Sequence, residues 1–430
     1  VDIILSIASI HLGSVMLYDL RPIICFASTF PFLTSKLLKR CRLFIFKENI
    51  MNRFIYILCL ALILGFSANS LATQGHGNVY AATNNPTNNQ VAIYERNKKG
   101  EIYFVRYIDT GGLGAGDNAP IDSLGSQNSV LLSEDKRNLF VVNAGSNEIS
   151  VFRVRRSGDL RLIQTIGSGG DFPVSLTIDD DLLYVLNAGG AGNIVGYKVH
   201  RNGTLSVINE SIRSLGLNNP VFPDGTEVPL TPGQVGFDRK NRRLIITNAG
   251  DRELLVFDLN RNGIPEQTPS STRSEGDVPF DFVIARNGTV LVTEAAGSAS
   301  SYRFTRDNTL LPISSAVANG QQASCWIVSN GSRFAFTINT GSSTISTYQI
   351  ERGGELSLEN AVGADLNGGL PTDATITKNG RLLYVLNAGT GDVSAYRVNR
   401  RDGSLRFLNA SARCRNKSAL RGWRRIMFSS

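Results

Sequence analysis

The chain has 430 residues, a formal charge of +8, 42% hydrophobic residues and 19% charged ones. The excess charge sits at the ends: residues 1–50 hold six Lys/Arg against three Asp/Glu, 413–430 hold six and none, while 73–412 hold 31 basic and 33 acidic residues. A body that close to neutral lacks the electrostatic footprint of a nucleic-acid binder. Of five cysteines, Cys25, Cys41 and Cys59 precede that body, Cys414 follows it and Cys325 stands alone within it, so it is no disulfide scaffold.

In chain order, residues 1–50 show neither a capped helix nor a repeat, and are expected to be upstream sequence translated from a misplaced start. Residues 51–72 have the layout of a secretory leader: Arg53, the apolar run Phe54–Phe66, and the small-residue cleavage site Ser70-Leu-Ala72. An apolar run of 13 residues is short for a membrane span, which needs about 20. The expectation is cleavage near Ala72 and a secreted or periplasmic product with no membrane span.

From Asn78 onward one pattern recurs seven times: a hydrophobic run, a small Asn-Ala-Gly-like corner, and an alternating strand ending in an aromatic. The fullest copies are Leu182-Leu-Tyr-Val-Leu-Asn-Ala-Gly189 and Leu382-Leu-Tyr-Val-Leu-Asn-Ala-Gly389. The aromatics are Tyr94, Phe152, Tyr197, Phe257, Tyr302, Tyr348 and Tyr396, mostly 45 to 48 residues apart, with two gaps of 58 and 60. That period, in strand-forming residues, predicts an all-β, seven-bladed β-propeller with four-stranded antiparallel blades over 73–412. Hairpin turns such as Arg201-Asn-Gly203 and Arg401-Asp-Gly403 supply the positive-φ residues that tight turns need. In the seventh unit the strands are expected at 373–377, 381–386, 393–398 and 405–408.

In such a blade the entry to the first strand, a, and the corner between the second and third, b and c, emerge at one end. The corners hold Asn84, Asn143, Asn187, Asn248, Glu294, Asn339 and Asn387; the entries hold Ser129, Ser175, Gln234, Asp281, Ser324 and Asp373. Both sets are expected around a central funnel, where propeller ligands bind. The asparagines are read as turn chemistry, Asn tolerating left-handed geometry and bonding its own backbone. The ligand-binding candidates are Asp281, Glu294, Asp373, Gln234, Ser175, Ser324 and Ser129. Asp281 and Glu294 belong to one blade and are expected to converge, either capping turns or holding a divalent cation such as Ca²⁺. No cofactor is otherwise called for. Cys325, on the apolar stretch Ser324-Cys-Trp-Ile-Val328, is expected to pack in the core. The first unit opens directly on a strand-b sequence, so the ring should be closed by pairing N- and C-terminal strands. The expected strand is not legible after Ala412, and Arg413–Ser430 is read as a frameshifted tail.

The Leu-Tyr-Val-Leu-Asn-Ala-Gly strands, the Arg-x-Gly-x-Leu hairpins and the Pro-x-Asp entries together resemble the lactonase-type seven-bladed propellers. That family includes 6-phosphogluconolactonases and carboxymuconate cyclases, and is related to the Tyr-Val-Thr-Asn repeat propellers. The resemblance, over about 78–412, implies an enzyme opening or closing a small lactone or carboxylated ring, with His, Arg and Glu in the funnel. This chain departs from that set. His76 lies before the first strand, His200 adjoins a turn at the far end, and the entry motifs carry no Arg. The alternative is a non-catalytic extracytoplasmic propeller binding a protein, glycan or small ligand. A monomer is expected in either case.

Overall fold

The computed structural model describes residues 77–412, apart from 117–123, 218–231, 239, 241 and 332. The upstream segment, the leader 51–72 with its cleavage site, and the tail 413–430 lie outside the described residues.

Among the described residues, twenty-eight strands form seven antiparallel sheets. Blade 1 is β1 (Gly77–Ala82), β2 (Gln90–Arg96) and β3 (Ile102–Asp109). Blade 2 is β4 (Val130–Leu132) to β7 (Leu160–Gly167), and blade 3 is β8 (Pro173–Asp179) to β11 (Leu205–Val207), with β12 (Arg213–Ser214) added beside β10 (Asn193–Val199). Blade 4 comprises β13 (Pro232–Asp238), β14 (Arg243–Asn248), β15 (Glu253–Asp258) and β16 (Ser270–Arg273). Blade 5 comprises β17 (Pro279–Ile284), β18 (Val290–Glu294), β19 (Ser298–Phe304) and β20 (Leu310–Ala318). Blade 6 runs from β21 (Ser324–Ser329) through β22 (Phe334–Asn339) to β24 (Leu356–Asp365). Blade 7 is β25 (Pro371–Ile376), β26 (Leu382–Asn387), β27 (Asp392–Val398) and β28 (Leu405–Ala412). Against the sequence-based limits, β25 starts two residues earlier and β28 runs four residues further.

This is the expected seven-bladed propeller, each blade a meander of consecutive strands. Blade 1 has three strands among the described residues, and the expected closure by terminal strands falls outside them. No helix of the described residues is long and apolar enough to cross a membrane.

The core lies between blades. The strand-c aromatics Tyr94, Phe152, Tyr197, Phe257, Tyr302 and Tyr348 are fully buried, each under the neighbouring sheet's apolar face. Cys325 is buried in the cluster with Trp326, Phe336 and Leu383 that joins blades 6 and 7. Tyrosines on strand b tie neighbours at the hairpin end: Tyr80 donates to Gly158 O (2.7 Å), Tyr184 to Gly263 O (2.5 Å) and Tyr384 to Gly100 O (3.0 Å). The last joins blade 7 to blade 1, where Asn409 also donates to Ile102 O and accepts from Ile102 N.

Candidate functional site

The strand-a entries share one local geometry. Pro173, Pro232, Pro279, Ser324 and Pro371 pair with the corner residues Asn187, Asn248, Glu294, Asn339 and Asn387, and a bulge follows each pairing. A bulge re-aims the next side chain, and the re-aimed side chains link consecutive innermost strands. Ser175 Oγ accepts from Val235 N at 3.2 Å, Gln234 Oε1 from Phe282 N at 2.6 Å, and Asp281 Oδ2 from Ile327 N at 2.8 Å. In this register Ser324 occupies the proline position of blade 6. The counterpart of Asp281 there is Trp326, whose Nε1 donates to Ser126 O at 3.0 Å. Sequence reasoning missed this because a Ser in the entry looked like Ser175; counting back from Asn339 would have found the Trp.

A cavity of about 1480 Å³ occupies the centre of the ring. Four of the seven candidates line it: Ser129, Gln234, Asp281 and Asp373. The other three do not. Ser175 and Ser324 are fully buried, Ser175 in the link just described and Ser324 between Asn319 and Asn339. Glu294 is also fully buried, with Oε2 accepting from Ser298 Oγ at 2.6 Å and Oε1 from Ser274 Oγ at 3.4 Å.

The expected convergence of Asp281 with Glu294 is therefore corrected. Their backbones share an end of the blade, but successive side chains on β18 alternate faces. Thr293 turns toward blade 6, where its hydroxyl donates to Cys325 O (2.6 Å) and accepts from Asp281 N (3.2 Å). Glu294 turns the other way, against the Ser274–Gly276 segment. The carboxylate that acts on Asp281 is Asp373 of blade 7. Burial, reinforced by that negative neighbour, pushes the Asp281 carboxyl well above the usual carboxylate range. Phe282 N is taken by Gln234, and Asp281 Oδ1 is buried at the cavity without a hydrogen-bond partner. Glu294 is also raised by burial, and its hydroxyl donors oppose the rise. Among the described residues no group of three or more His, Cys, Asp or Glu is placed to hold a metal ion.

The segment Leu124–Asn128, unremarked in the sequence beyond its place at the end of a long loop, lies across the ring. Ser126 Oγ donates to Val174 O (2.8 Å), Gln127 N to Gly233 O (3.1 Å) and Gln127 Nε2 to Ala374 O (3.3 Å), so it touches blades 3, 4 and 7 as well as Trp326 of blade 6. It also places Gln127 on the cavity wall with the two aspartates. His200, hydrogen-bonded to Ser206 at the hairpin end, is not among the cavity residues.

The corner asparagines do not act as left-handed turn residues bonding their own backbone, except that Asn84 has a positive φ; three of them instead reach the neighbouring strand. Asn143 and Asn387 lie in extended strands and donate through Nδ2 to Ser150 and Ser394 of strand c, while Asn339 does so to Ser346. Of the seven corner residues, only Asn84 has a positive φ, 53°.

Seven meandering blades around a cavity with two aspartates on its wall define a seven-bladed β-propeller. The family is settled by comparison: the profile of the lactonase, 7-bladed beta-propeller family matches residues 80–222 and 234–421, and this chain belongs to that family. Its relatives include a 6-phosphogluconolactonase of Buchnera aphidicola subsp. Schizaphis graminum, 24% identical over 281 residues, covering 63% of this chain and 80% of the relative. Another, from Serratia proteamaculans, is 22% identical over 320 residues, covering 64% and 95%. Among solved structures, the periplasmic gluconolactonase of Pseudomonas aeruginosa matches with a TM-score of 0.62 at 18% identity, covering 77% of this chain and 94% of that one. At that identity the likeness is one of fold.

Proposed function

We propose that this 6-phosphogluconolactonase-like propeller hydrolyses a small sugar lactone in the central cavity, with Asp281 and Asp373 as its acid and base. The observation that carries this reading is the orphaned, fully buried Oδ1 of Asp281 beside a second carboxylate in a cavity large enough for a sugar. Two interacting carboxyls titrate apart. Burial favours the protonated form of Asp281, which suits it to donate a proton, and the partly buried Asp373 is assigned as the acceptor. In hydrolysis Asp373 takes a proton from water as the water oxygen bonds to the lactone carbonyl carbon. The ring C–O bond then breaks, and the departing ring oxygen receives the proton of Asp281, giving the hydroxy acid. Gln127 Nε2, on the same wall, is an amide donor suited to orienting a sugar hydroxyl.

Export after cleavage near Ala72 is part of the proposal, since the leader layout supports it and the solved gluconolactonase cited above is named as periplasmic. N-terminal sequencing of protein recovered from cell fractions checks it: a mature start near Thr73 is expected outside the cytoplasm.

The assay is proton release from δ-lactones near neutral pH above the spontaneous rate. Asp373→Asn is expected to lower kcat by about 10²-fold or more with little change in KM. Asp281→Asn, which keeps a donor but removes the transferable proton, is expected to lose less. Equal rates for wild type and Asp373→Asn would overturn the assignment. A second reading, non-catalytic ligand binding, is favoured by the use of Ser175, Gln234 and one Asp281 oxygen in holding blades together. It predicts that a δ-lactone raises Tm without turnover.

A further inference from the structure

The near-neutral balance of the body conceals an uneven distribution of charge along the ring axis. The a–b and c–d turns, which lie at the hairpin end, hold 18 Lys/Arg and 11 Asp/Glu among the described residues. The corners and blade entries at the opposite end hold four acids, Asp171, Asp251, Glu275 and Asp277, and one base, Arg252, which is ion-paired with Asp277. In sequence, the stretches 117–123 and 218–231, which connect strands at that same end, add four acids and no base.

One cation recurs at a fixed place in every blade. Lys98 in blade 1, and Arg156, Arg201, Arg261, Arg306, Arg352 and Arg401 in blades 2 to 7, each stand two residues before the positive-φ residue of the c–d turn. That residue is Gly in six blades and Asn308 in blade 5, with φ from 64° to 98°, so the seven turns share one frame. All seven cations are exposed, and none is ion-paired among the described residues. The turns do not need these charges, because Asn97, Asn260 and Asn399 accept the turn N–H groups. The tyrosine links to Gly100, Gly158 and Gly263 hold three of the turns in place. Several acids of this end, by contrast, are already engaged. Asp159 pairs with Arg106 and Arg155, Asp181 pairs with Lys198, and Asp402 accepts from Asn399 Nδ2 and Ser404 N.

We propose that the hairpin face of the ring rests on an anionic lipid surface, with the acidic end facing away from it. Seven cations on seven blades are too dispersed to converge on one small anion, and a linear polyanion laid on the ring would meet only a few neighbouring blades. A plane of headgroup charge reaches all seven at once, and each Lys or Arg near such a surface adds to the attraction. The opposite sign at the far end is repelled, so the charge asymmetry sets a single orientation. Among the described residues no large hydrophobic side chain of these turns is exposed. The contact is therefore electrostatic, without insertion, and is screened by salt.

The test uses the full chain and vesicles of phosphatidylcholine, alone or mixed equally with phosphatidylglycerol, with binding read by co-sedimentation. Wild type is expected to bind the mixed vesicles at least tenfold more tightly than the neutral ones in about 50 mM salt, and to lose that preference at about 0.5 M. Lys98→Glu/Arg156→Glu/Arg401→Glu reverses three adjoining members of the ring and is expected to abolish the preference. The corresponding triple Gln variant, which removes charge without reversing it, is expected to weaken it partway. All three are exposed turn residues, and an unchanged Tm shows that the fold is kept. Glu275→Lys, at the other end, is expected to leave the preference as it is. Residues 1–76 and 413–430 are the same in every variant, so a preference that survives in the triple Glu variant would assign binding to them and overturn the proposal. Equal binding of wild type to both vesicles would also overturn it. So would tighter binding to heparin or duplex DNA than to the mixed vesicles, which would assign the ring to a soluble polyanion. Hydrolysis is not read, so failure here leaves the lactone assay standing on its own result.

Discussion

Glu294 holds a carboxylate where the other corners hold Asn, and its burial sets a sign for pH dependence. A carboxyl raised above its unfolded value binds its proton more tightly in the folded state. Its contribution to stability is therefore present below the ordinary carboxylate pKa and is lost as pH rises through the folded value. Asp281 acts in the same direction. Glu294→Gln is expected to flatten the fall of Tm from about pH 4 to about pH 8, because a neutral amide still faces Ser274 and Ser298. Glu294→Ala strips those hydroxyls of their acceptor and is expected to destabilise by about 1–3 kcal/mol at all pH values. Melting curves across that range test both; an unchanged slope in the Gln variant would move the origin of the effect to Asp281.

At the scale of the element, the Asn-Ala-Gly corner is explained by what lies against it. A Cβ on Gly145 would stand 2.2 Å from Gly114 O, and one on Gly189 would stand 2.7 Å from Asp171 Cβ. Gly145, Gly189 and Gly389 each admit the loop that enters their blade, so the glycine at these corners follows from a close approach rather than from a positive φ. Backbone yields less than a side chain. Gly145→Ala is expected to destabilise by about 1–3 kcal/mol, and Gly189→Ala by less, measured as shifts in denaturant midpoint at constant m. The reverse order would mean that the Gly114 loop adapts more easily than Asp171 does. The bulge after each entry proline works at the same scale, converting one sequence position into a belt of links between innermost strands.

For the whole molecule, the junction of blades 7 and 1 joins outer strands that lie 307 residues apart in sequence. Asn409 clamps both backbone groups of Ile102, and Ser411 Oγ accepts from Phe104 N at 2.9 Å. Asn409→Ala is expected to destabilise by about 1–3 kcal/mol, and to raise amide exchange across β1 to β3 more than across blades 3 to 5. Hydrogen exchange read blade by blade checks this; a uniform rise would show that the ring opens as one unit.

Fold and repeat register were legible because strand periodicity, corner glycines and hairpin turns are local, and seven copies average out each copy's exceptions. Ser129, Gln234, Asp281 and Asp373 could be assigned to one end of the ring for the same reason. What the sequence could not resolve was direction. The bulge and the strand's alternation send Asp281 toward blade 6 and Glu294 away from it, pairing Asp281 with a residue 92 positions later. Trp326 and Gln127 were illegible for a related reason: each acquires its meaning from a neighbour in another blade. Local chemistry determined the blades. Only the closed ring decided which side chains share the cavity, because that depends on contacts between strands that sequence spacing does not encode.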